Sequence, residues 1–101
     1  MKNYKVKNFY QKNQFIIDCD WKTIFQSYSS TICIIDFDNN TITFWIDFDY
    51  SKTTWKYLNL FLIDYIWLDN CNRKLINKAI KDWYINNWYI EYKVIYDKEL
   101  Q

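Results

Sequence analysis

Aspartates in the middle of the chain are the side chains best suited to chemistry. Asp36, Asp38 and Asn40 have the spacing that opens a calcium-binding loop. Asp47 stands at the twelfth position, but Thr41 occupies the sixth, where the sharp turn of such a loop requires glycine. The flanking residues alternate as strands, which would separate the two aspartate pairs by more than about 10 Å. We therefore predict no metal site and assign these aspartates to a solvated strand face.

The sequence contains no histidine and no glycine. Without histidine there is no Ser-His or Cys-His pair and no imidazole base. Without glycine there is no phosphate-cradling loop, because a Cβ blocks the close backbone approach that such loops need. We therefore predict that the protein is not an enzyme, has no catalytic residue and uses no cofactor.

The cysteines are three in number and widely spaced. An odd, dispersed set argues against a disulfide framework and against a zinc site. We expect Cys19 and Cys33 to be small buried side chains. Cys71 stands in a polar turn, where we expect it to be exposed.

The elements that position these groups begin with a hairpin, in which residues 31–38 and 41–49 flank Asn39–Asn40. A two-residue loop there places Phe37 opposite Ile42. One face is then apolar, with Cys33, Ile35, Phe37, Ile42, Phe44, Ile46 and Phe48. The other face carries Ile34, Asp36, Asp38, Thr41, Thr43, Trp45, Asp47 and Asp49.

The front third of the sequence predicts two strands and a short helix. Residues 4–10 and 15–19 have strand-like patterns around a turn at 11–13. Asp20 is a candidate helix cap. The aromatic and apolar residues that follow at helical spacing are Trp21, Ile24, Phe25 and Tyr28.

The second half predicts two helices and a strand. Ser51 or Thr53 caps a helix that continues to Leu68 and is apolar nearly all round. A second, amphipathic helix covers about 72–85, and a strand covers 88–96. The inner stripe of the second helix is Leu75, Ile76, Ala79, Ile80 and Trp83. The inner face of the last strand is Trp88, Ile90, Tyr92, Val94 and Tyr96.

The element order β-β-α-β-β-α-α-β predicts an α+β fold. We expect a mainly antiparallel sheet of about five strands, with two or three helices packed on one face. With 101 residues, the chain is expected to form one domain over 1–101. The longest apolar stretch, 57–68, is too short to span a bilayer, and the basic N-terminus has no secretion signal. These features predict a cytoplasmic protein that does not enter a membrane.

The composition bears on origin. Gly, Pro and His are absent, while Lys, Asn, Ile and Tyr are abundant. The missing residues include those with GC-rich codons, so we expect an AT-rich genome. We expect a bacterium or organelle, or a virus or mobile element of one, in which case the protein works in the host-cell cytoplasm.

Aromatic residues make up 23% of the chain, more than a small core readily hides. Trp and Tyr anchor interfaces because they bury a large area at little rotamer cost. We therefore predict a non-enzymatic interaction protein that binds and sterically blocks a protein or nucleoprotein target, in the manner of toxin-immunity or phage anti-defence inhibitors. The predicted partner-binding residues are Asp36, Asp38, Trp45, Asp47 and Asp49.

Two alternatives remain open. A nucleic-acid-binding module would use the basic N-terminal strand and a lysine-rich helix face to contact phosphates. Its residues would be Lys5, Lys7, Arg73, Lys74, Lys78 and Lys81. A homodimer would form through the apolar helix at 55–68.

Overall fold

The computed structural model describes residues 4–45, 51–68, 71–86 and 90–97. The first described segment forms five consecutive antiparallel strands, rich in the β-branched and aromatic residues that favour a pleated backbone. These strands are β1 (Tyr4–Phe9), β2 (Gln11–Cys19), β3 (Lys22–Ser27), β4 (Ser30–Asp36) and β5 (Thr41–Trp45).

Two helices and two further strands follow: α1 (Lys52–Ile66), α2 (Arg73–Asp82), β6 (Tyr84–Asn86) and β7 (Glu91–Asp97). Strand β7 pairs parallel to β5, and β6 pairs antiparallel to β7 at the edge. The result is one mixed sheet in the order β1-β2-β3-β4-β5-β7-β6. The α+β class is therefore confirmed. The sheet is wider than the predicted five strands and contains a parallel pair.

The core lies between one face of the sheet and the two helices. Rings from three elements meet there, since Phe61 of α1 stacks on Phe25 of β3 at 5.5 Å and packs edge-on against Phe9 of β1 at 6.2 Å. Helix α2 adds Ile76 and Ala79 to the same buried cluster. Both helices thus cover a single face, as predicted.

The helix boundaries follow their caps. Ser51 accepts a hydrogen bond from the amide of Thr54 at 3.0 Å, and Asn72 accepts one from the amide of Leu75 at 2.9 Å. Each cap satisfies a backbone amide that has no partner within its helix. Of the two predicted caps for α1, the structure selects Ser51. Helix α2 ends at Asp82, because Trp83 adopts a left-handed backbone with φ of 66°. Trp83 is exposed, so its prediction as a core residue was wrong.

The helix predicted after Asp20 is strand β3. Its apolar residues at helical spacing are equally compatible with a strand that has apolar residues on both faces. Phe25 points into the core, while Ile24 is half-buried on the opposite face. Strand β2 has a related error, since Ile16 is buried and the predicted inner residue Cys19 is only half-buried.

The predicted hairpin exists with a different register. Ile35 pairs with Ile42 and Cys33 with Phe44, which is two residues from the predicted pairing. The loop is four residues long, 37–40, rather than two. A shift of two keeps each side chain on its predicted face, because the strand period is two. Phe37 consequently leaves the strand and is exposed.

Left-handed backbone occurs at turns that glycine would ordinarily occupy. The described residues with positive φ are Tyr10, Asp20, Tyr28, Asn40, Trp67 and Trp83. Four of these six carry aromatic side chains, and all four are exposed. Within the described ranges, no helix has the length and hydropathy needed to cross a bilayer.

Candidate partner-binding site

Two neighbouring turns at one end of the sheet form the candidate site. Asp20 and Trp21 connect β2 to β3, and residues 37–40 connect β4 to β5. The amide of Phe37 donates a 2.9 Å hydrogen bond to the carbonyl oxygen of Trp21. This bond joins the turns, which we call the double-turn rim, defined by Asp20, Trp21, Lys22, Asp36, Phe37, Asp38 and Asn39.

Asp36 organises the second turn. Its carboxylate accepts hydrogen bonds from the amides of Asp38 and Asn39, both at 3.1 Å, and from Nδ2 of Asn39 at 2.9 Å. These donors, above all the Asn39 side chain, lower the pKa of Asp36 below its ordinary value, with a smaller favourable contribution from Lys22. Asp36 is therefore ionised at neutral pH.

An open pocket of about 290 Å³ lies between the two turns. The Trp21 side chain lines this pocket, and 70% of the residue's surface is exposed. The lining residues are Cys19, Asp20, Trp21, Lys22, Asp36, Asp38 and Asn39. An exposed indole beside several carboxylates supplies both a large anchor and a charged border.

The structure brings only part of the predicted acidic face together. Asp36 and Asp38 lie on the rim. Trp45 is 7% exposed, so its predicted role as a surface anchor is wrong. Asp47 and Asp49 lie outside the described residues.

Trp21 is a candidate binding residue that the sequence pattern does not single out. The sequence pattern predicts a short helix that carries Trp21, and it indicates no role for this side chain. The signal that could have located it is the pair Asp20–Trp21 between two strand-like runs, since aspartate tolerates the left-handed backbone of a tight turn. Asp20 indeed has a φ of 56°.

The predicted basic residues fall at opposite sides of the sheet. Lys5 and Lys7 belong to β1, the first edge strand, whereas α2 packs on β6 and β7 at the other edge. Five to six strand spacings, about 25–30 Å, separate these edges. The two basic groups therefore do not form one continuous surface.

Several of these cations also have local partners. The Arg73 guanidinium lies over the Trp55 ring at 5.5 Å, and Lys78 forms a 3.1 Å ion pair with Asp82. Lys74 and Lys81 are exposed on α2. The basic ridge is thus partly neutralised along its own helix.

A second pocket, of about 250 Å³, lies beside Lys7. Its wall includes Asp64, which accepts a 2.7 Å hydrogen bond from the Tyr10 hydroxyl. This bond raises the pKa of Tyr10 above its ordinary value, because the phenol donates to a carboxylate. A carboxylate facing this pocket disfavours phosphate binding next to Lys7.

The buried cysteines are poor nucleophiles. Burial raises the pKa of the Cys71 thiol to about 12 and holds that of Cys33 well above its ordinary value. Cys71 is buried, so its predicted exposure was wrong. Among the residues that the structure describes, no three His, Cys, Asp or Glu side chains are grouped to hold a metal ion.

Helix α1 contributes most of its apolar surface to the core. Its buried residues include Leu58, Phe61, Leu62 and Ile66. The exposed apolar side chains at this helix and its end are Ile63 and Trp67. The predicted dimer surface on this helix is therefore largely occupied by the sheet.

Comparison with known proteins assigns the chain to a family. No curated protein and no solved structure matches the chain. A family model described as a family of unknown function, DUF8033, matches residues 1–82. The matched segment contains strands β1 to β5, both turns of the double-turn rim, and helices α1 and α2. The chain therefore belongs to the DUF8033 family.

Proposed function

We propose that this protein is a non-enzymatic interaction protein that binds and sterically blocks a macromolecular partner through the double-turn rim. The observation that carries the proposal is the Trp21 side chain, which is 70% exposed at the edge of a pocket bordered by carboxylates. A large ring held in water on a rigid turn is typical of an interface anchor.

The chemistry of the rim favours a basic protein or nucleoprotein surface. Among the described residues that line the pocket, Asp20, Asp36 and Asp38 outnumber the cation Lys22. Carboxylates at the border of an interface speed the approach of a positively charged partner and fix its orientation. Burial of the Trp21 indole would then supply most of the affinity.

The rim is preorganised for such binding. The hydrogen bonds of Asp36 fix one turn, and the Phe37–Trp21 hydrogen bond couples it to the other. A surface that is already ordered loses little conformational entropy when it binds. A small domain that occupies another macromolecule's surface in this way acts as an inhibitor of the immunity or anti-defence kind.

Affinity capture from extracts of the native cell tests the proposal. We expect a polypeptide that the wild type retains to be lost with Trp21→Ala and weakened with Asp38→Lys. Trp67→Ala is the matched control, because this indole is also exposed, at 60%, but lies at the end of α1. If Trp21→Ala retained the same polypeptide as well as the control does, the rim would not be the binding site.

Nucleic-acid binding is the rival function, and the exposed Lys74 and Lys81 are the residues that favour it. It predicts an affinity for oligonucleotides that falls steeply with salt. A fluorescence-anisotropy titration separates the two functions. Oligonucleotide binding that Trp21→Ala leaves intact, and that the double variant Lys74→Ala, Lys81→Ala abolishes, would replace the proposed function.

A further inference from the structure

The sheet face opposite the helices carries a continuous row of β-branched side chains across six strands. Cross-strand pairing places Val6, Ile17, Ile24, Ile34, Thr43 and Ile95 side by side. We call this set the β-branched row. Because the described helices pack on the other face, its members are half-buried or exposed. Aliphatic side chains in contiguous contact with water usually mark an interface.

A second row runs parallel to the first, two residues closer to the double-turn rim. It contains Lys22 of β3 directly beside Asp36 of β4, followed by Thr41 and Lys93. Residues two apart on a strand share a face and lie about 7 Å apart. The same face therefore has an apolar band with an alternating charged border.

We propose that this face binds the same face of a second copy, with a two-fold axis that runs parallel to the strands between β3 and β4. The axis then passes through the middle of the six strands that carry the β-branched row. Ile24 packs on the partner's Ile34, and Val6 packs on the partner's Ile95. Two sheets packed with nearly aligned strands form the layer arrangement of a β-sandwich.

Charge complementarity selects this axis. It brings Lys22 opposite the partner's Asp36, and the symmetry repeats the contact, so that both pairs are of opposite charge. An axis perpendicular to the strands would instead place Lys22 opposite the partner's Gln26. With the strand-parallel axis, each Lys22 therefore faces an Asp36 of opposite charge across the interface.

The area fits a weak dimer. Six strands span about 24 Å, and the two rows lie about 7 Å apart. With side-chain radii, the footprint is roughly 350 Å² per copy, or about 700 Å² in total, which is below the standard interface size and typical of a weak, transient contact. We expect association in the micromolar range. Lys22 and Asp36 belong both to the second row and to the double-turn rim, whereas Trp21 belongs to neither row. Self-association is therefore measured on the protein alone, without a partner at the rim.

Sedimentation-equilibrium measurements between about 1 µM and 1 mM, a range set around the expected affinity, test the dimer. The wild type should change from a mass near 12.7 kDa to twice that value as its concentration rises. Ile24→Lys should weaken self-association at least ~100-fold, because it places a charge in the middle of the apolar band. Ile63→Lys on α1 is the matched control and should dimerise like the wild type. A wild type that stays at 12.7 kDa throughout would overturn the proposal.

A charge exchange tests the axis independently of Ile24→Lys. Because Asp36 also accepts the hydrogen bonds of its turn, thermal unfolding must first show that Asp36→Lys is folded. Copies with Lys22→Asp place like charges across the interface, and so do copies with Asp36→Lys. A mixture of the two pairs unlike charges at both contacts. The mixture should therefore associate at least ~10-fold more tightly than either variant alone. A mixture that associates no more tightly than its components would contradict this arrangement.

Discussion

The backbone amide of Phe37 lies 2.9 Å from the carbonyl oxygen of Trp21, and this hydrogen bond joins two turns that are sixteen residues apart. Each turn is also the end of a hairpin within the sheet. The indole of Trp21 and the carboxylates of Asp36 and Asp38 are therefore held on one edge of the sheet. A surface that is already ordered loses little conformational entropy on binding, which favours the proposed role.

Replacing Gln14 by methionine should stabilise the fold. Gln14 is completely buried, and neither its Oε1 nor its Nε2 has a hydrogen-bonding partner among the described residues. A buried polar group without a partner costs about 1–3 kcal/mol. We expect Gln14→Met to raise the free energy of unfolding by about 1 kcal/mol in urea titrations.

Gln26→Met is the control for that substitution. The Nε2 of Gln26 donates a 2.8 Å hydrogen bond to the carbonyl oxygen of Tyr28, so methionine removes a contact there. Its free energy of unfolding should stay equal or fall. If the free energy of unfolding fell for both variants, the Gln14 side chain would have to form a hydrogen bond inside the folded protein.

Glycine should stabilise the exposed aromatic positions that have left-handed backbone. Trp67 and Trp83 have φ values of 56° and 66° and are about 60% exposed. Left-handed backbone costs a non-glycine residue about 1–2 kcal/mol, and replacement by glycine removes this cost. Glycine also gives the unfolded chain more conformational freedom, which cancels about 0.5–1 kcal/mol of the gain. Trp83→Gly should therefore raise the free energy of unfolding by roughly 0.5–1 kcal/mol.

Trp21→Gly provides the contrast, because Trp21 is equally exposed and has no positive φ. It should lower the free energy of unfolding, since glycine then adds only entropy to the unfolded state. If Trp21→Gly raised the free energy of unfolding and Trp83→Gly lowered it, left-handed backbone would not explain the stability of these variants.

The pH dependence of stability should report the Asp36 turn. The pKa of Asp36 is lowered in the folded state, so its contribution is complete above its unfolded value, about 4, and is lost as the pH falls through the folded value. Asp36→Asn keeps an acceptor for the turn amides but does not titrate. Urea midpoints between about pH 5 and pH 2 should fall more steeply for the wild type than for Asp36→Asn. Parallel profiles would mean that other carboxylates dominate acid unfolding.

Thiol labelling should distinguish the three cysteines. Burial raises the pKa of Cys33 and of Cys71, the latter to about 12, and excludes reagent from both. Cys19 is half-buried on the outer face of the sheet. At pH 8, iodoacetamide should therefore modify Cys19 in the native protein and the other two only after unfolding. Rapid native labelling of Cys71 would contradict its burial.

Alternation predicts strand faces only in part. Over residues 33–36 and 41–44 the two faces of the β4–β5 hairpin agree with the structure, because alternation has a period of two. Trp83 and Tyr96, which are predicted to face the core, are exposed. The register of the hairpin does not agree, because the hydrogen bonds of Asp36 close a longer turn than Asn39–Asn40 alone predicts. The sequence predicts a helix in place of β3 because this strand has apolar residues on both faces, which weakens the alternation.

The site was predictable only in part. Charged residues that interrupt an apolar hairpin predict Asp36 and Asp38 as binding residues, and both lie on the rim. Trp45 is buried although the pattern predicts it to be exposed, since local sequence does not determine whether an aromatic residue at a strand end is covered. The contact between the two turns depends on the order of strands in the sheet, which no local pattern contains.

Hydrogen–deuterium exchange on the protein, alone and bound to its captured partner, tests the central claim most directly. The account predicts slower exchange on binding at residues 20–22 and 36–40, the two turns joined by the Phe37–Trp21 hydrogen bond. Residues 73–82 of α2 should exchange equally in both states. Protection of α2 with no change at either turn would contradict the assignment of the double-turn rim as the binding site.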